Sequence, residues 1–283
     1  MKKKILATVV AAGALLSLAA CGGGKKQVTA GGSTALQPLV EQVSLDYMKK
    51  NPEDIIMVQG GGSGVGLAQV AAGSFQIGNS DIFAEEKTGI AANKITDHKV
   101  AVIGFAPIVN KNLKLSNLTN QQLVDIFTGK VKNWNQVGGP NQAITVVGRT
   151  EGSGTRVNFD KYALNGATEV NGPTQDASGS VVQLVGQTPG AISYVSFSYT
   201  EKPGVKALNV DNVKPTDANV LDNKWKIWSY EHMYTNKSKD NTIQDKFIDY
   251  VKNDKSTLNK LGYISVSDMK VDRDYKGNVT TIK

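Results

Sequence analysis

Residues 148–156 read Gly-Arg-Thr-Glu-Gly-Ser-Gly-Thr-Arg, and the interpretation of the whole chain begins from this stretch. The apolar run of residues 143–147 before it predicts a buried strand, and the residues after Ser153 predict a helix. A strand-to-helix corner made of small residues leaves the first N–H groups of the helix uncovered. Because the helix dipole also favours negative charge at that end, the corner predicts an anion-binding site.

Four side chains of the same stretch add to this prediction. We expect Arg149 to contribute a planar, two-pronged donor and Glu151 to hold it by an ion pair. The hydroxyl groups of Ser153 and Thr155 supply further donors. Since every group aimed at the ligand donates hydrogen bonds, the expected ligand is an oxyanion.

Other interpretations of the corner are an ordinary loop with a serine helix cap, or an enzyme motif. A nucleophile elbow requires Gly-x-Ser-x-Gly. Glu151 replaces the first glycine before Ser153, and Val65 replaces the last glycine after Ser63. A nucleotide phosphate loop requires Gly-Lys-Ser/Thr, but the Gly-Lys pair at residues 129–130 is followed by valine. Neither enzyme motif fits.

The N-terminus predicts export and lipid attachment. Three lysines at residues 2–4 precede an apolar run at residues 5–18, which is typical of a secretory signal peptide over residues 1–20. Leu-Ala-Ala before Cys21 resembles the lipobox of bacterial lipoproteins, and Cys21 is the single cysteine of the chain. We therefore expect residues 21–27 to form a lipidated cysteine and a flexible tether, which places the protein on the extracytoplasmic face of the cell membrane.

Composition limits the possible partners. The formal charge is +7, and removal of the three lysines in residues 1–20 lowers it to +4, a mild excess that suits a small anion or an anionic membrane surface. The chain contains no long basic run interleaved with aromatic residues, so we expect no nucleic acid partner. His98 and His232 stand far apart, so we expect no metal and no other cofactor. The length allows two lobes, and we expect a monomer.

Two further corners repeat the pattern of strand, glycines, hydroxyls and helix. Residues 28–30 run into Gly-Gly-Ser-Thr-Ala at residues 31–35, and residues 55–58 run into Gly-Gly-Gly-Ser-Gly at residues 60–64. The chain therefore reads as an α/β protein. Two long apolar or aromatic runs, residues 100–109 and 225–234, are long enough to leave one lobe and to return to it.

Three helices are predicted from local patterns. One has an apolar stripe from Leu36 to Tyr47 with a proline in its first turn, one begins at a capping box of Thr119 and Gln122, and a short one lies around residues 181–185.

Asp81 follows another predicted strand, at residues 75–78. Ligands of open α/β sheets bind beyond the carboxyl ends of the strands, so Asp81 is expected beside the glycine corners. A carboxylate suits an anion site only if the anion brings a proton for it to accept, as phosphate does and sulfate does not. Considered alone, Asp81 is better explained as a helix cap or a surface loop residue.

Five motifs in this order resemble the phosphate-binding lipoproteins that feed bacterial ABC importers. They lie at residues 30–34, 59–64, 78–81, 123–130 and 149–155. The resemblance implies a periplasmic-binding-protein-like fold of type II, with residues 28–104 and 232–283 in lobe I, residues 105–231 in lobe II, and two crossover strands as a hinge. It further implies that the chain is a binding protein rather than an enzyme, and that it passes inorganic phosphate to membrane permease subunits.

The resemblance also implies which residues contact phosphate. They are Ser33, Thr34, Ala35, Ser63 and Asp81 from lobe I, and Arg149, Ser153, Gly154 and Thr155 from lobe II. Relatives often carry an aromatic residue in place of Ala35, so a backbone N–H contact survives the difference whereas packing by a ring does not. Some relatives have Asp in place of Glu151, which preserves the expected partner of Arg149.

Alternative functions stay open at this point. A receptor for sulfate, molybdate or another tetrahedral anion would use the same corners, although Asp81 would repel an unprotonated anion. Arsenate carries protons as phosphate does. A secreted phosphatase would need a nucleophile with its base or a metal cluster, and the sequence offers neither. An adhesin or sensor would use outer surfaces, on which the sequence carries no signal.

Overall fold

The computed structural model describes residues 26–282. The predicted signal peptide, Cys21 and the tether up to residue 25 lie outside the described residues. Lys26 and Gln27, which we expected in the flexible tether, are instead the first residues of a strand. They pair in parallel with Asp54 and Ile55, so the backbone of this segment is fixed by the neighbouring strand.

The chain alternates strands and helices for most of its length. The strands are β1 Lys26–Gly32, β2 Asp54–Gln59, β3 Ile77–Ser80, β4 Ile95–Asn110, β5 Asn117–Leu118, β6 Thr145–Val146, β7 Gly148–Arg149, β8 Thr174–Gln175, β9 Ala191–Ser196, β10 Val205–Ala207, β11 Asn209–Val210, β12 Trp228–Asn236, β13 Val271–Arg273 and β14 Val279–Thr281. The helices are α1 Gln37–Lys50, α2 Ser63–Ala71, α3 Asn120–Phe127, α4 Gly154–Tyr162, α5 Ser178–Gln187, α6 Asp217–Leu221, α7 Thr242–Asn253 and α8 Lys255–Lys260.

Eight strands form one mixed sheet in the order β2-β1-β3-β12-β4-β9-β6, with β10 also paired to β4. β1 lies parallel to both β2 and β3, and β6 lies parallel to β9. The strand β12 is antiparallel to β3 on one side and to β4 on the other. This is the mixed α/β architecture that the sequence predicted.

Strand β4 connects the two ends of this sheet. Its residues 95–104 pair with β12, whereas residues 105–109 pair with β9. Residues 100–110 are all buried, as is every residue of β12. The two long runs seen in the sequence are therefore long buried strands that lie side by side, and burial on both faces accounts for their continuous apolar or aromatic character.

Two local predictions are confirmed. The predicted apolar stripe of α1, from Leu36 to Tyr47, is buried, and proline lies in the first turn, where its missing N–H has no intrahelical partner to lose. The capping box of α3 is formed: Gln122 N donates to Thr119 Oγ1 at 3.1 Å, and Thr119 N donates to Gln122 Oε1 at 2.9 Å.

Two other predictions were wrong in extent. The apolar run at residues 143–147 is not one strand. It pairs with β9 at Thr145 and Val146, whereas Gly148 and Arg149, which follow the run, pair with β8. The helix predicted around residues 181–185 begins earlier, at Ser178, and continues to Gln187. Both differences change the geometry of the site, because they set where Arg149 and the start of α5 lie.

Candidate functional site

Four helices begin at one place in the structure. The corners before α1, α2 and α4 are those predicted from the sequence, and the start of α5 is the fourth. Ser178 N donates to Thr34 Oγ1 at 3.2 Å, which joins the start of α5 to the corner before α1. Asp81 N donates to Ser63 Oγ at 2.9 Å, which joins the end of β3 to the start of α2. The positive ends of several helix dipoles therefore converge on one small region.

The start of α5 is a site element that the sequence analysis missed. Its sequence, Ala-Ser-Gly-Ser at residues 177–180, repeats the small and hydroxyl-bearing pattern of the other corners. That pattern was the available signal. It went unrecognised because the strand preceding it, β8, is only two residues long.

Close packing at the site depends on Gly154, the first residue of α4. A Cβ added there would lie 2.2 Å from Ser63 Oγ and 3.0 Å from the Cβ of Asp81. Those distances are far inside van der Waals contact, so only glycine lets α4 begin against α2 and the end of β3. By contrast, a Cβ added to Gly179 of α5 would meet nothing within 4 Å.

Arg149 is a buried cation held by oxygen atoms, with only 1% of its surface exposed. Its Nε donates to the carbonyl of Gln175 at 3.1 Å, and its Nη2 donates to the carbonyl of Asp176 at 2.7 Å. Nη2 also approaches Thr34 Oγ1 at 3.4 Å. Burial lowers the pKa of Arg149, while the nearby Tyr194 and Asp81 oppose that change. Its Nη1 has no hydrogen-bond partner within residues 26–282, which leaves a buried charged donor for a ligand.

The predicted partner of Arg149 was wrong. Glu151 is exposed to solvent, and none of the ion pairs in the described part of the chain joins it to Arg149. The physical reason lies in the short pairing of β7 with β8, which brings backbone carbonyls of residues 175 and 176 against the guanidinium. Neutral carbonyls hold the group in place without cancelling its charge.

Asp81 is the acceptor of the site and is also 1% exposed. Ser33 Oγ donates to its Oδ1, and Thr155 Oγ1 donates to its Oδ2 at 2.8 Å. Its backbone carbonyl accepts from Asn158 Nδ2 and from Ser229 Oγ, each at 2.7 Å. Asp81 is therefore neither a surface loop residue nor a helix cap, because it lies fixed between two of the predicted corners.

The other predicted serine and threonine side chains differ in whether their hydroxyl hydrogen is already donated to a protein acceptor. The hydroxyl hydrogens of Ser33 and Thr155 point to Asp81. Ser63 Oγ only accepts, so its hydrogen is available to a ligand. Ser153 Oγ accepts from Arg156 N at 3.3 Å and caps α4, which is the role that the alternative interpretation of the corner gave it.

Backbone N–H groups complete the donor set. Those of Gly154 and Thr155 in the first turn of α4 have no acceptor among the described residues, and the same holds for Thr34. Ala35 differs from expectation, because its N–H donates to Ser33 Oγ at 3.1 Å. Its carbonyl accepts from the hydroxyl of Tyr263, so the Ala35 backbone is tied into the fold on both sides.

Arg156 supports the corner from behind. Its Nη1 donates to the carbonyl of Arg149 at 2.8 Å, and its Nε lies 3.4 Å from Asp160 and 3.9 Å from Glu169. Burial raises the pKa of Glu169 to about 7. The two carboxyl groups and Arg156 thus form a charged cluster beneath the site, one that the sequence did not indicate.

Glu231, in the middle of β12, is a further buried acid that sequence reasoning missed. It is fully buried, and the antiparallel pairing of His232 with Ser80 places it next to Asp81. Burial, with the adjacent Asp81 carboxylate as a smaller cause, raises the pKa of Glu231 well above its ordinary value. Its sequence context, an aromatic strand, gives no hint that it lies beside the site.

Within residues 26–282, no group of three or more His, Cys, Asp and Glu residues is arranged to hold a metal ion. Over the same residues, no helix combines the length and the apolar character that a membrane span requires.

Comparison with known proteins gives consistent results. Residues 19–255 match the model of the PBP superfamily domain. The chain is 47% identical over 253 residues to the phosphate-binding protein PstS of Bacillus subtilis, an alignment that covers 88% of this chain and 84% of that protein. A second PstS, from Borreliella burgdorferi, is 26% identical over 89% of this chain and 93% of its own length.

Solved structures agree with these relatives. A putative phosphate ABC transporter substrate-binding protein from Clostridium perfringens, with bound phosphate, superposes with a TM-score of 0.80 at 30% identity, covering 85% of this chain and 100% of that one. An ABC-type phosphate transport receptor from Vibrio cholerae superposes with a TM-score of 0.67 at 26% identity, covering 84% and 99%.

Proposed function

This chain belongs to the PBP superfamily and, within it, to the family of phosphate-binding proteins PstS, and from that premise we propose that it captures inorganic phosphate and delivers it to the permease of an ABC importer. The observation that carries the proposal is the buried Arg149, whose Nη1 has no partner within the described residues. A buried charged donor left unpaired is costly, so an anion is the expected partner.

The chemistry of the site favours an anion that also carries a proton. Ser63 Oγ and the N–H groups of Thr34, Gly154 and Thr155 are available donors, and Asp81 is the acceptor. Phosphate at neutral pH presents both acceptor oxygens and at least one proton. Sulfate and molybdate present acceptors only and would face Asp81 as a like charge. Arsenate matches phosphate in this respect, and the same contacts would accept it.

The relatives are named as binding proteins of transport systems, which supports a binding role over catalysis. The hydroxyl groups of Ser33 and Thr155 donate to Asp81, and those of Ser63 and Ser153 accept from backbone N–H groups. Among residues 26–282, no hydrogen bond joins any of these four hydroxyl groups to a histidine or a lysine, the bases that most often activate a hydroxyl nucleophile. The groups are thus arranged to hold an anion.

We further propose that the ligand closes two lobes, residues 28–104 with 232–283 and residues 105–231. Three contacts around the site support a cleft between these lobes, because each of them joins a residue of one proposed lobe to a residue of the other. They are Thr34 with Ser178, Thr155 with Asp81, and Gly64 N with the carbonyl of Gly152 at 2.9 Å. Strands β4 and β12 run between the lobes and would serve as the hinge.

The proposed location is the outer face of the cell membrane, with the chain anchored as a monomer through a lipid on Cys21. This rests on the lipobox-like sequence alone, since Cys21 lies outside the described residues. Because Cys21 is the single cysteine, Cys21→Ser should move the protein from the membrane fraction of the cell to the medium or a soluble fraction. Retention of Cys21→Ser in the membrane fraction would rule out this anchor.

Arg149 provides the first test of the ligand. Truncating one member of a buried charged pair costs on the order of 2–5 kcal/mol, so Arg149→Ala should weaken phosphate binding by at least tens-fold in isothermal titration. Arg149→Lys should also lose affinity, because an ammonium group cannot reproduce the planar fork. Lys130→Ala, which removes an equal charge from an exposed side chain, is the control and should bind as the wild type does. Wild-type affinity in Arg149→Ala would contradict the assignment, and no phosphate binding by the wild type would contradict the proposed function.

Closure can be followed by small-angle scattering. Phosphate should reduce the radius of gyration of the wild type, because only the closed form makes contacts from both lobes. Gly154→Ala should prevent full closure, since its Cβ would collide with Ser63 and Asp81. Gly179→Ala is the matched control, because its Cβ meets nothing within 4 Å. A radius unchanged by phosphate, with binding demonstrated in the same sample, would argue against two closing lobes.

Asp81 tests selectivity between anions. With sulfate, two acceptors would face each other in a dry site at a cost of several kcal/mol. Asp81→Asn supplies a donor, so sulfate should gain affinity relative to phosphate, measured for both anions at one pH and ionic strength. Asp176→Asn removes a carboxylate from an exposed side chain near Arg149 and should leave the ratio unchanged. If Asp81→Asn also keeps the wild-type ratio, the carboxylate is not the discriminating group.

A further inference from the structure

Glu231 is an acid in an unusual position for an anion-binding protein. Its surface is 0% exposed, and neither of its carboxyl oxygens accepts a hydrogen bond from residues 26–282. It also takes part in none of the ion pairs of that range. An ionised carboxylate in such surroundings would lose its hydration with no compensation, so the protein must hold this group in another form.

The geometry places Glu231 against Asp81. Strand β12 runs antiparallel to β3, and His232 is opposite Ser80, the last residue of β3. Asp81 follows Ser80 directly and interacts with Glu231, which precedes His232. Two residues earlier in β12, Ser229 Oγ donates to the carbonyl of Asp81 at 2.7 Å, which fixes the two segments together. The carboxyl groups of Glu231 and Asp81 are thus neighbours in the dry interior.

The other groups around Glu231 offer it no counter-charge. The opposite residue of β4 is Ala101. Helix α2, which packs on β12, contains no charged residue, and α4 presents the neutral Asn158. A further titratable group close to Glu231 is the phenol of Tyr263, whose hydroxyl donates to the carbonyl of Ala35. His232 is bound to Asp97 at 2.7 Å.

These surroundings favour a neutral acid. Burial is the main cause that raises the pKa of Glu231, and the Asp81 charge acts in the same direction. The net charge of the buried groups also favours a neutral Glu231. Arg149 and Asp81 cancel each other, so an ionised Glu231 would give the buried groups of the site a net negative charge and repel the ligand.

We propose that Glu231 is a positioning residue for Asp81, a neutral carboxylic acid whose O–H donates a hydrogen bond to the Asp81 carboxylate. A carboxylate offers about four acceptor positions. Ser33 and Thr155 occupy two of them. The O–H of Glu231 takes a third and leaves one for the proton of the ligand, while its own proton stays on Glu231. The inference about the ligand rests on the proposed function, whereas the protonation state of Glu231 does not.

An infrared measurement tests the protonation state without any ligand. The difference spectrum between the wild type and Glu231→Gln should contain the C=O stretch of a neutral carboxylic acid, shifted in D2O. Glu169, with a pKa raised to about 7, gives a similar band near neutral pH, so Glu169→Gln is the control. The Glu169 band should vanish as the pH rises above 7, and the Glu231 band should persist. A carboxylate band from Glu231 in its place would overturn the inference.

Binding tests the positioning role. Glu231→Gln keeps a neutral donor, so phosphate affinity should stay within about threefold of the wild type. Glu231→Leu has no donor, and loss of a hydrogen bond to a charged group should lower phosphate affinity about tenfold or more. It should also lower the phosphate-to-sulfate ratio, because Asp81 without its third donor is held less rigidly and can turn away from a ligand that brings no proton.

Each other outcome has a clear meaning. A tenfold gain in phosphate affinity in Glu231→Gln would show that a negative charge had been removed, and the inference would fail. Wild-type affinity and ratio in Glu231→Leu would equally overturn it. If Glu231→Leu does not fold, the infrared band and the phosphate affinity of Glu231→Gln still test the inference. If the wild type binds no phosphate, the proposed function fails, and the infrared band alone then tests whether Glu231 is protonated.

Discussion

The buried carboxylate of Asp81 imposes the requirement that the rest of the site meets. An isolated carboxylate in a dry interior would take up a proton, so it stays an acceptor only where donors surround it. Those donors come from distant parts of the chain: Ser33 from the corner before α1 and Thr155 from the first turn of α4. One side chain therefore ties the two sides of the site together, and any ligand must fit between groups that Asp81 has already placed.

Glycine makes this arrangement possible. Helices α2 and α4 begin close enough for Gly64 N to donate to the carbonyl of Gly152 at 2.9 Å. At Gly154 even one extra methyl group would collide with Ser63 and Asp81. Such proximity brings uncovered N–H groups to the same point, which is what gives helix ends their affinity for anions. The glycines thus allow close approach because they lack a Cβ atom. Strands β4 and β12 lie in the sheet that keeps the separate corners in fixed positions.

The sequence predicted the features that are set locally. The glycine corners at helix starts and the capping box of Thr119 both depend on neighbouring residues, and both agree with the structure. The features it missed depend on distant pairing. Arg149 is held by carbonyls of β8 and the residue after it, not by Glu151, because a two-residue strand contact brings them together. Glu231 lies beside Asp81 only through the register of β12 with β3, which no local pattern reveals.

Charge alone does not account for the expected selectivity of this site. The formal charges of Arg149 and Asp81 cancel, and attraction for an anion then comes from helix ends, each equivalent to about half a positive charge, and from uncovered N–H groups. Sulfate and phosphate experience this attraction alike, so it cannot separate them. If the chain binds phosphate as proposed, separation comes from Asp81, where the site accepts rather than donates a hydrogen bond. The more rigidly Asp81 is held as an acceptor, the larger the free-energy penalty for a ligand without a proton. The donors packed around Asp81 therefore increase the discrimination between the two anions.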